Sequence, residues 1–197
     1  MNLPNKLTIS RVILIPVFMV FLVIPPLFEA LGDIATRVIS AVLFILISLT
    51  DMLDGKIARK NNLVTDFGKF LDPLADKMLV FGACLGILVY CGEVRSVFVW
   101  AAAVVMFREL AVTGLRLLVA KHDIVVAASW LGKVKTTTQI ICVCTILLEP
   151  VVFGSWIPFF RDYHPLAYLT ILLMTVMTVW SGVNYMKTYW SYMDPQR

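Results

Sequence analysis

The sequence predicts an all-α, polytopic membrane protein: six transmembrane helices with a polar cavity facing the cytoplasm. Composition is the first reason, because 60% of the 197 residues are hydrophobic and 15% are charged, against roughly 45–50% and about 25% in soluble domains. The second is spacing. Apolar runs near the length of about 20 residues that crosses a hydrocarbon core recur six times between charged breaks. The third is that the basic residues sort to one side once the loops alternate. Six such helices use most of the chain, so one membrane domain over 1–197 is expected and no separate soluble domain.

The first helix is expected over 9–31, after Lys6 and Arg11. It lacks a short apolar stretch ending in a small-residue cleavage site, and further spans follow it, so it reads as a membrane helix rather than a leader. The break PPLFEALGD precedes a second helix over 34–60. KNNLVTDF separates that from a third over 67–92, for which Asp66 reads as a cap. GEVRS around Glu93 leads into a fourth over 96–121, and the fifth covers 130–149. The long break EPVVFGSWIPFFRDYHP ends at the sixth, 163–190. Gly82 and Gly86 form a GxxxG in the third helix, suited to close packing within the chain or to a homodimer. Cys84, Cys91, Cys142 and Cys144 form no CxxC pair and read as buried, inert thiols.

With alternating loops, the amino-terminal side carries Lys6, Arg11, Lys56, Arg59, Lys60, Lys69, Lys77, Arg108, Arg116, Lys121, Lys133, Lys135, Lys187 and Arg197. Only Arg37, Arg95 and Arg161 lie opposite. Both termini are therefore expected in the cytoplasm, beneath a bacterial plasma membrane. Aromatic residues mark both edges: Trp156, Phe159, Phe160 and Tyr163 outside, and Tyr185, Tyr189, Trp190 and Tyr192 inside.

Ionisable groups at membrane depth are costly and ask for a reason. Asp51 and Asp54 are three apart at the cytoplasmic end of the second helix, and Asp72 and Asp76 are four apart at the same end of the third. Each pair shares a helix face, and a hairpin of the two helices would bring both faces to one depth. Four converging carboxylates repel strongly at low dielectric unless cations neutralise them, and oxygen-only ligands favour hard Mg²⁺ or Mn²⁺ over zinc. Two divalent ions balance four aspartates, and such a pair can hold a diphosphate and stabilise a leaving phosphate. Gly55 and Gly68 leave room beside these carboxylates, Ala58 is similarly small, and Arg59 offers a phosphate-matching fork. The bland reading of the same aspartates is helix capping and pairing with Lys56, Arg59, Lys69 and Lys77.

The stretch DMLDGKIARKNNLVTDFGKFLDPLADK, from Asp51 to Lys77, resembles the signature of the class I CDP-alcohol phosphotransferase family: D-x-x-D-G-x-x-A-R, eight residues, then G-x-x-x-D-x-x-x-D. Every fixed position is present: Asp51, Asp54, Gly55, Ala58, Arg59, Gly68, Asp72 and Asp76. The resemblance implies a six-helix membrane fold, often homodimeric, in which the four aspartates hold two metals and Gly55, Arg59 and Thr65 line the CDP site. It also implies that Asp76 is the general base, a role a carboxylate beside an attacking hydroxyl can fill. The opening NLPNKLTISR is similar to the family's start, which adds Pro4, Asn5 and Thr8 as nucleotide contacts.

The acceptor is read from the later helices. Glu109, Thr113 and Arg116 form one polar stripe in an apolar helix with Arg108 alongside, and Lys133, Lys135 and Thr136 open the next. Several cations near the aspartates suit an anionic acceptor, although each lysine also reads as an ordinary positive-inside residue. RELAVTGLR and GKVKTT resemble segments of the family's glycerol 3-phosphate-using branch. The expected reaction is therefore transfer of the phosphatidyl group of CDP-diacylglycerol to glycerol 3-phosphate, giving phosphatidylglycerol phosphate and CMP, with Arg108, Thr113, Arg116, Lys133 and Lys135 on the acceptor phosphate. The partners expected are these substrates and the membrane lipids, with no nucleic acid. Rival readings are the same chemistry with inositol phosphate, serine or phosphatidylglycerol as acceptor, a prenyltransferase, and a divalent-cation transporter. The prenyltransferase reading lacks its separated aspartate motifs. The transporter lacks acidic groups along a path, because Glu29, Asp33, Glu93, Glu149 and Asp162 fall in or near external loops.

Overall fold

A backbone surrounded by hydrocarbon has to satisfy its own hydrogen bonds, and the described residues do so with helices and no strand. The computed structural model describes the backbone of residues 3–60, 66–120, 130–154 and 156–190, with side chains over 5–51, 68, 70–119, 130–154 and 156–190. The helices are α1 (Leu3–Val23), α2 (Pro25–Leu31), α3 (Asp33–Lys60), α4 (Asp66–Tyr90), α5 (Arg95–Ala120), α6 (Trp130–Val152), α7 (Pro158–Tyr163) and α8 (Pro165–Tyr189). Six of them (α1, α3, α4, α5, α6 and α8) are long and apolar enough to cross a bilayer, which makes this a multi-pass membrane protein.

The helix expected over 9–31 is two helices. α1 starts earlier, at Leu3, and stops at Val23, because Pro25 and Pro26 supply no N–H to the preceding carbonyls. Pro25–Leu31 then forms a short separate helix, and Gly32 turns the chain into α3 at φ +80°, a conformation open to glycine. The break before the sixth span likewise contains the helical turn α7.

α1 packs against both α3 and α4, α6 against α3 and α8, and α5 against α8. Ile15, Phe18 and Leu22 of α1, Phe44 and Ile47 of α3, Ile87 of α4, Phe98 and Val105 of α5, Ile146 and Leu147 of α6 and Met174 of α8 are almost wholly inaccessible. Outward-facing apolar side chains such as Ile13, Leu46, Phe107, Leu117, Leu172 and Trp180 form the lipid-facing surface. The GxxxG works inside the chain. A Cβ on Gly82 would lie 3.0 Å from Met19 Sδ, and one on Gly86 would lie 2.8 Å from Leu22 Cδ1, so the two glycines let α1 and α4 approach closely.

Two charged residues that the sequence places at the external side, Arg37 and Glu149, are buried in the structure. Arg37 lies one turn inside α3, where its Nε donates to Asp33 at 2.9 and 3.0 Å and its Nη2 to Glu93 at 2.7 Å. It ties α3 to the α4–α5 connection. Glu149 of α6 accepts the backbone N–H groups of Leu166 and Ala167, at 3.0 and 2.6 Å. It thereby caps the first turn of α8 from another helix, satisfying donors that the helix itself leaves open. The cysteines are free thiols, three of them buried, and burial pushes the Cys91 thiol up to about 12, which keeps it protonated and inert.

Candidate active site

The polar groups collect at the end of the bundle where α1 begins. Asn5, Thr8 and Arg11 fall at i, i+3 and i+6 on the first turns of α1, and all three are buried. Arg11 is 2% exposed and bridges two other helices. Its Nη1 donates to Asp51 at the end of α3, and to Asp76 on α4 at 3.3 Å. Nη2 donates to Asp72 Oδ1, also at 3.3 Å, and the Thr8 hydroxyl donates to the same oxygen at 2.8 Å. The carboxylate faces of α3 and α4 therefore meet at Arg11, and α1, which carries it, packs extensively on both helices.

Exposure gives the cluster a direction. The side chains of Asp51, Asp72 and Asp76 keep 38%, 50% and 57% of their surface open, while the cation behind them has almost none. The carboxylates thus line an open mouth with Arg11 at its back. Gly68, one turn before Asp72, is buried. Asp54 follows Asp51 by one turn of α3, but its side chain, those of Ala58 and Arg59, the surroundings of Gly55, and Thr65 altogether lie outside the described residues.

Carboxylate oxygens from two helices converge within hydrogen-bonding reach of one cationic group, so this donor set accepts positive charge at that point and, being all oxygen, suits a hard divalent ion. Among the described residues no three acidic, histidine or cysteine side chains form a ready-made metal cage.

A second cluster lies on α5, α6 and α8. Arg108 Nη2 donates to Ser181 at 2.7 Å, and Nη1 is 3.4 Å from Glu109. Lys135, itself buried, pairs with Glu109 and stands within Coulombic reach of Asp76, which connects the basic cluster to the acidic one. Arg116 donates to the Tyr185 hydroxyl at 3.0 Å, and its Cζ lies 5.4 Å over the same ring. Of the residues expected on an acceptor phosphate, Arg108, Arg116 and Lys135 thus share one region. Lys133 is exposed, two residues before Lys135 and therefore on nearly the opposite face of α6, and Thr113 spends its hydroxyl proton on the Glu109 carbonyl at 2.7 Å.

The sequence reading missed Arg11 as a member of the site, counting it only among topology-setting cations. Its spacing of three from Thr8 in an apolar helix was the available signal. Ser181 and Tyr185 carried none, being ordinary polar residues near the end of the last span.

An acidic mouth next to a basic cluster at one end of a membrane bundle is the equipment of an enzyme that handles phosphate groups at the bilayer surface. The chain belongs to the CDP-alcohol phosphatidyltransferase family, whose model matches residues 1–185. Members of this family generally depend on divalent cations. The chain is 46% identical over 194 residues to the CDP-diacylglycerol–glycerol-3-phosphate 3-phosphatidyltransferase of Bacillus subtilis, covering 96% of this chain and 95% of that protein. Proteins of the same description from Rickettsia typhi and Salmonella paratyphi A are 36% and 35% identical, each over 188 residues. Those alignments cover 95% and 94% of this chain, and 98% and 93% of the relatives.

Proposed function

We propose that this protein transfers the phosphatidyl group of CDP-diacylglycerol to the primary hydroxyl of sn-glycerol 3-phosphate, forming phosphatidylglycerol phosphate and releasing CMP. The observation that carries this reading is the Lys135–Glu109 pair, next to Arg108 and within Coulombic reach of Asp76, in a chain similar along nearly its whole length to glycerol-3-phosphate phosphatidyltransferases. The whole chain acts as one membrane domain.

In this reading Asp51, Asp54, Asp72 and Asp76 hold two divalent ions, Mg²⁺ or Mn²⁺. Bound there, such ions supply charge neutralisation to the diphosphate and to the departing phosphate. Gly55, Ala58, Arg59, Thr65 and Gly68, with Asn5 and Thr8 from α1, line the space for the CDP moiety. Thr8, through its hydrogen bond, fixes the orientation of the Asp72 carboxylate. Arg108, Arg116 and Lys135, with Lys133 and Thr113 at the margin, grip the acceptor's phosphate, so binding energy is used to aim its hydroxyl. Asp76, the most open of the three described aspartates, takes the hydroxyl proton. The acceptor oxygen then forms a bond to the phosphorus nearer the lipid, and the bond from that phosphorus to CMP breaks. The mouth and both termini face the cytoplasm, where the nucleotide and the soluble acceptor are found, while the acyl chains stay among the lipids.

A panel of acceptors tests the assignment. Purified protein is given CDP-diacylglycerol with glycerol 3-phosphate, inositol phosphate, serine or phosphatidylglycerol in turn, and CMP release is measured. Release with glycerol 3-phosphate alone is the expected result. Release with another alcohol and none with glycerol 3-phosphate would overturn the acceptor while leaving the family chemistry in place.

A further inference from the structure

The arginines of the basic cluster do not hold themselves in place. A long guanidinium side chain spreads over many rotamers unless something fixes it, and each rotamer lost on binding weakens the complex. Here the fixing groups are on α8. Ser181 and Tyr185 stand four apart on one face of that helix and are 1% and 3% exposed. The Ser181 hydroxyl accepts from Arg108 at 2.7 Å, and the Tyr185 hydroxyl accepts from Arg116 at 3.0 Å beneath the same guanidinium. Between them, Gly182 lets the Arg108 stem pass: a Cβ at that position would stand 3.1 Å from Arg108 Cγ, tighter than ordinary packing. With Nη2 anchored in this way, the Arg108 Nε is left buried with no hydrogen-bond partner among the described residues. A buried N–H requires an acceptor, and an anionic oxygen of the acceptor's phosphate supplies one.

We propose that Ser181, Gly182 and Tyr185 are positioning residues that set how Arg108 and Arg116 present themselves, so that α8 fixes selectivity for a phosphate-bearing acceptor without touching it. This inference rests on reading Arg108 and Arg116 as ligands of the acceptor phosphate.

The test is steady-state kinetics on the full-length protein in nanodiscs, varying glycerol 3-phosphate and CDP-diacylglycerol separately. Ser181→Ala and Tyr185→Phe each remove one oxygen and leave the packing volume nearly unchanged. Each is expected to raise the KM for glycerol 3-phosphate about tenfold, the scale of a lost hydrogen bond to a charged group. The KM for CDP-diacylglycerol and the kcat should stay within about twofold, because the effect is confined to acceptor binding. In an Arg116→Ala background, Tyr185→Phe should add nothing further, since its effect runs through Arg116. An unchanged KM for glycerol 3-phosphate, a parallel shift of both KM values and kcat, or multiplying effects in the double variant would overturn the proposal. Arg108→Ala and Arg116→Ala separate the two ways of failing. If neither raises the KM for glycerol 3-phosphate, the acceptor reading falls and this inference with it. If both raise it while the α8 variants do not, the inference alone falls.

Discussion

Arg11 carries its charge into a place almost closed to water, and three carboxylates on two other helices are arranged around it. Replacing it by methionine would leave those carboxylates repelling one another with nothing behind them. The Arg11→Met protein is expected to melt at a lower temperature than wild type and to lose more than about tenfold in turnover. Arg11→Lys should recover part of both, since it restores the charge but not the fork. Thermal melts and CMP-release rates on the same preparations check this. Asp76→Asn keeps shape but removes both the proton acceptor and one charged metal ligand, so turnover is expected to fall at least about a hundredfold. A fully active Asp76→Asn protein would remove Asp76 from the role of base. The convergence of Asp51, Asp72 and Asp76 was legible from the sequence because acidic residues spaced along one face of an apolar helix ask for a partner. Arg11 was not, because a cation near a span end looks the same whether it faces the aqueous phase or three acids, until the neighbouring helices are placed.

At the scale of helices, the contact of α1 with α4 depends on two missing side chains. Gly86→Val would drive a branched group into Leu22, and overpacking of this kind costs about 1–3 kcal/mol. A lowered melting temperature with an unchanged oligomeric state, read by thermal melts and light scattering, is the expected result. A change of oligomeric state without loss of stability would instead give the glycines an outward role. The sequence showed that two small residues stood one turn apart but not what they faced, since GxxxG fits a neighbour within the chain and a neighbour outside it equally well. Helix ends were legible in proportion to their punctuation. Pro25 and Pro26 marked a stop that long apolar continuity obscured, and Pro158 and Pro165 marked the starts of α7 and α8.

For the molecule as a whole, six spans were readable from hydropathy alone, because the bilayer demands length and apolarity whatever the packing. The arrangement was not. In lipid, a side chain facing a neighbouring helix and one facing acyl chains are both apolar, so periodicity loses the contrast that reveals an inward face in water. The placement of α1 between α3 and α4, and of α8 against α5 and α6, emerges only from the packed structure. Single cysteines introduced at Lys133 and at Arg161 are expected to react with a membrane-impermeant maleimide from opposite sides of sealed vesicles, with Lys133 on the cytoplasmic side. Labelling of both positions from one side would reverse or break the proposed topology.

Beneath the acidic mouth the bundle turns dry at once: Ile15 is one turn after Arg11, Ile47 is one turn before Asp51, and the rings of Phe18 and Phe44 pack at a tilt with centroids 5.7 Å apart. Water and ions that enter to meet the aspartates therefore reach a plug rather than a passage. A bundle sealed in this way offers ions no continuous polar path along these helices, however many copies a membrane holds.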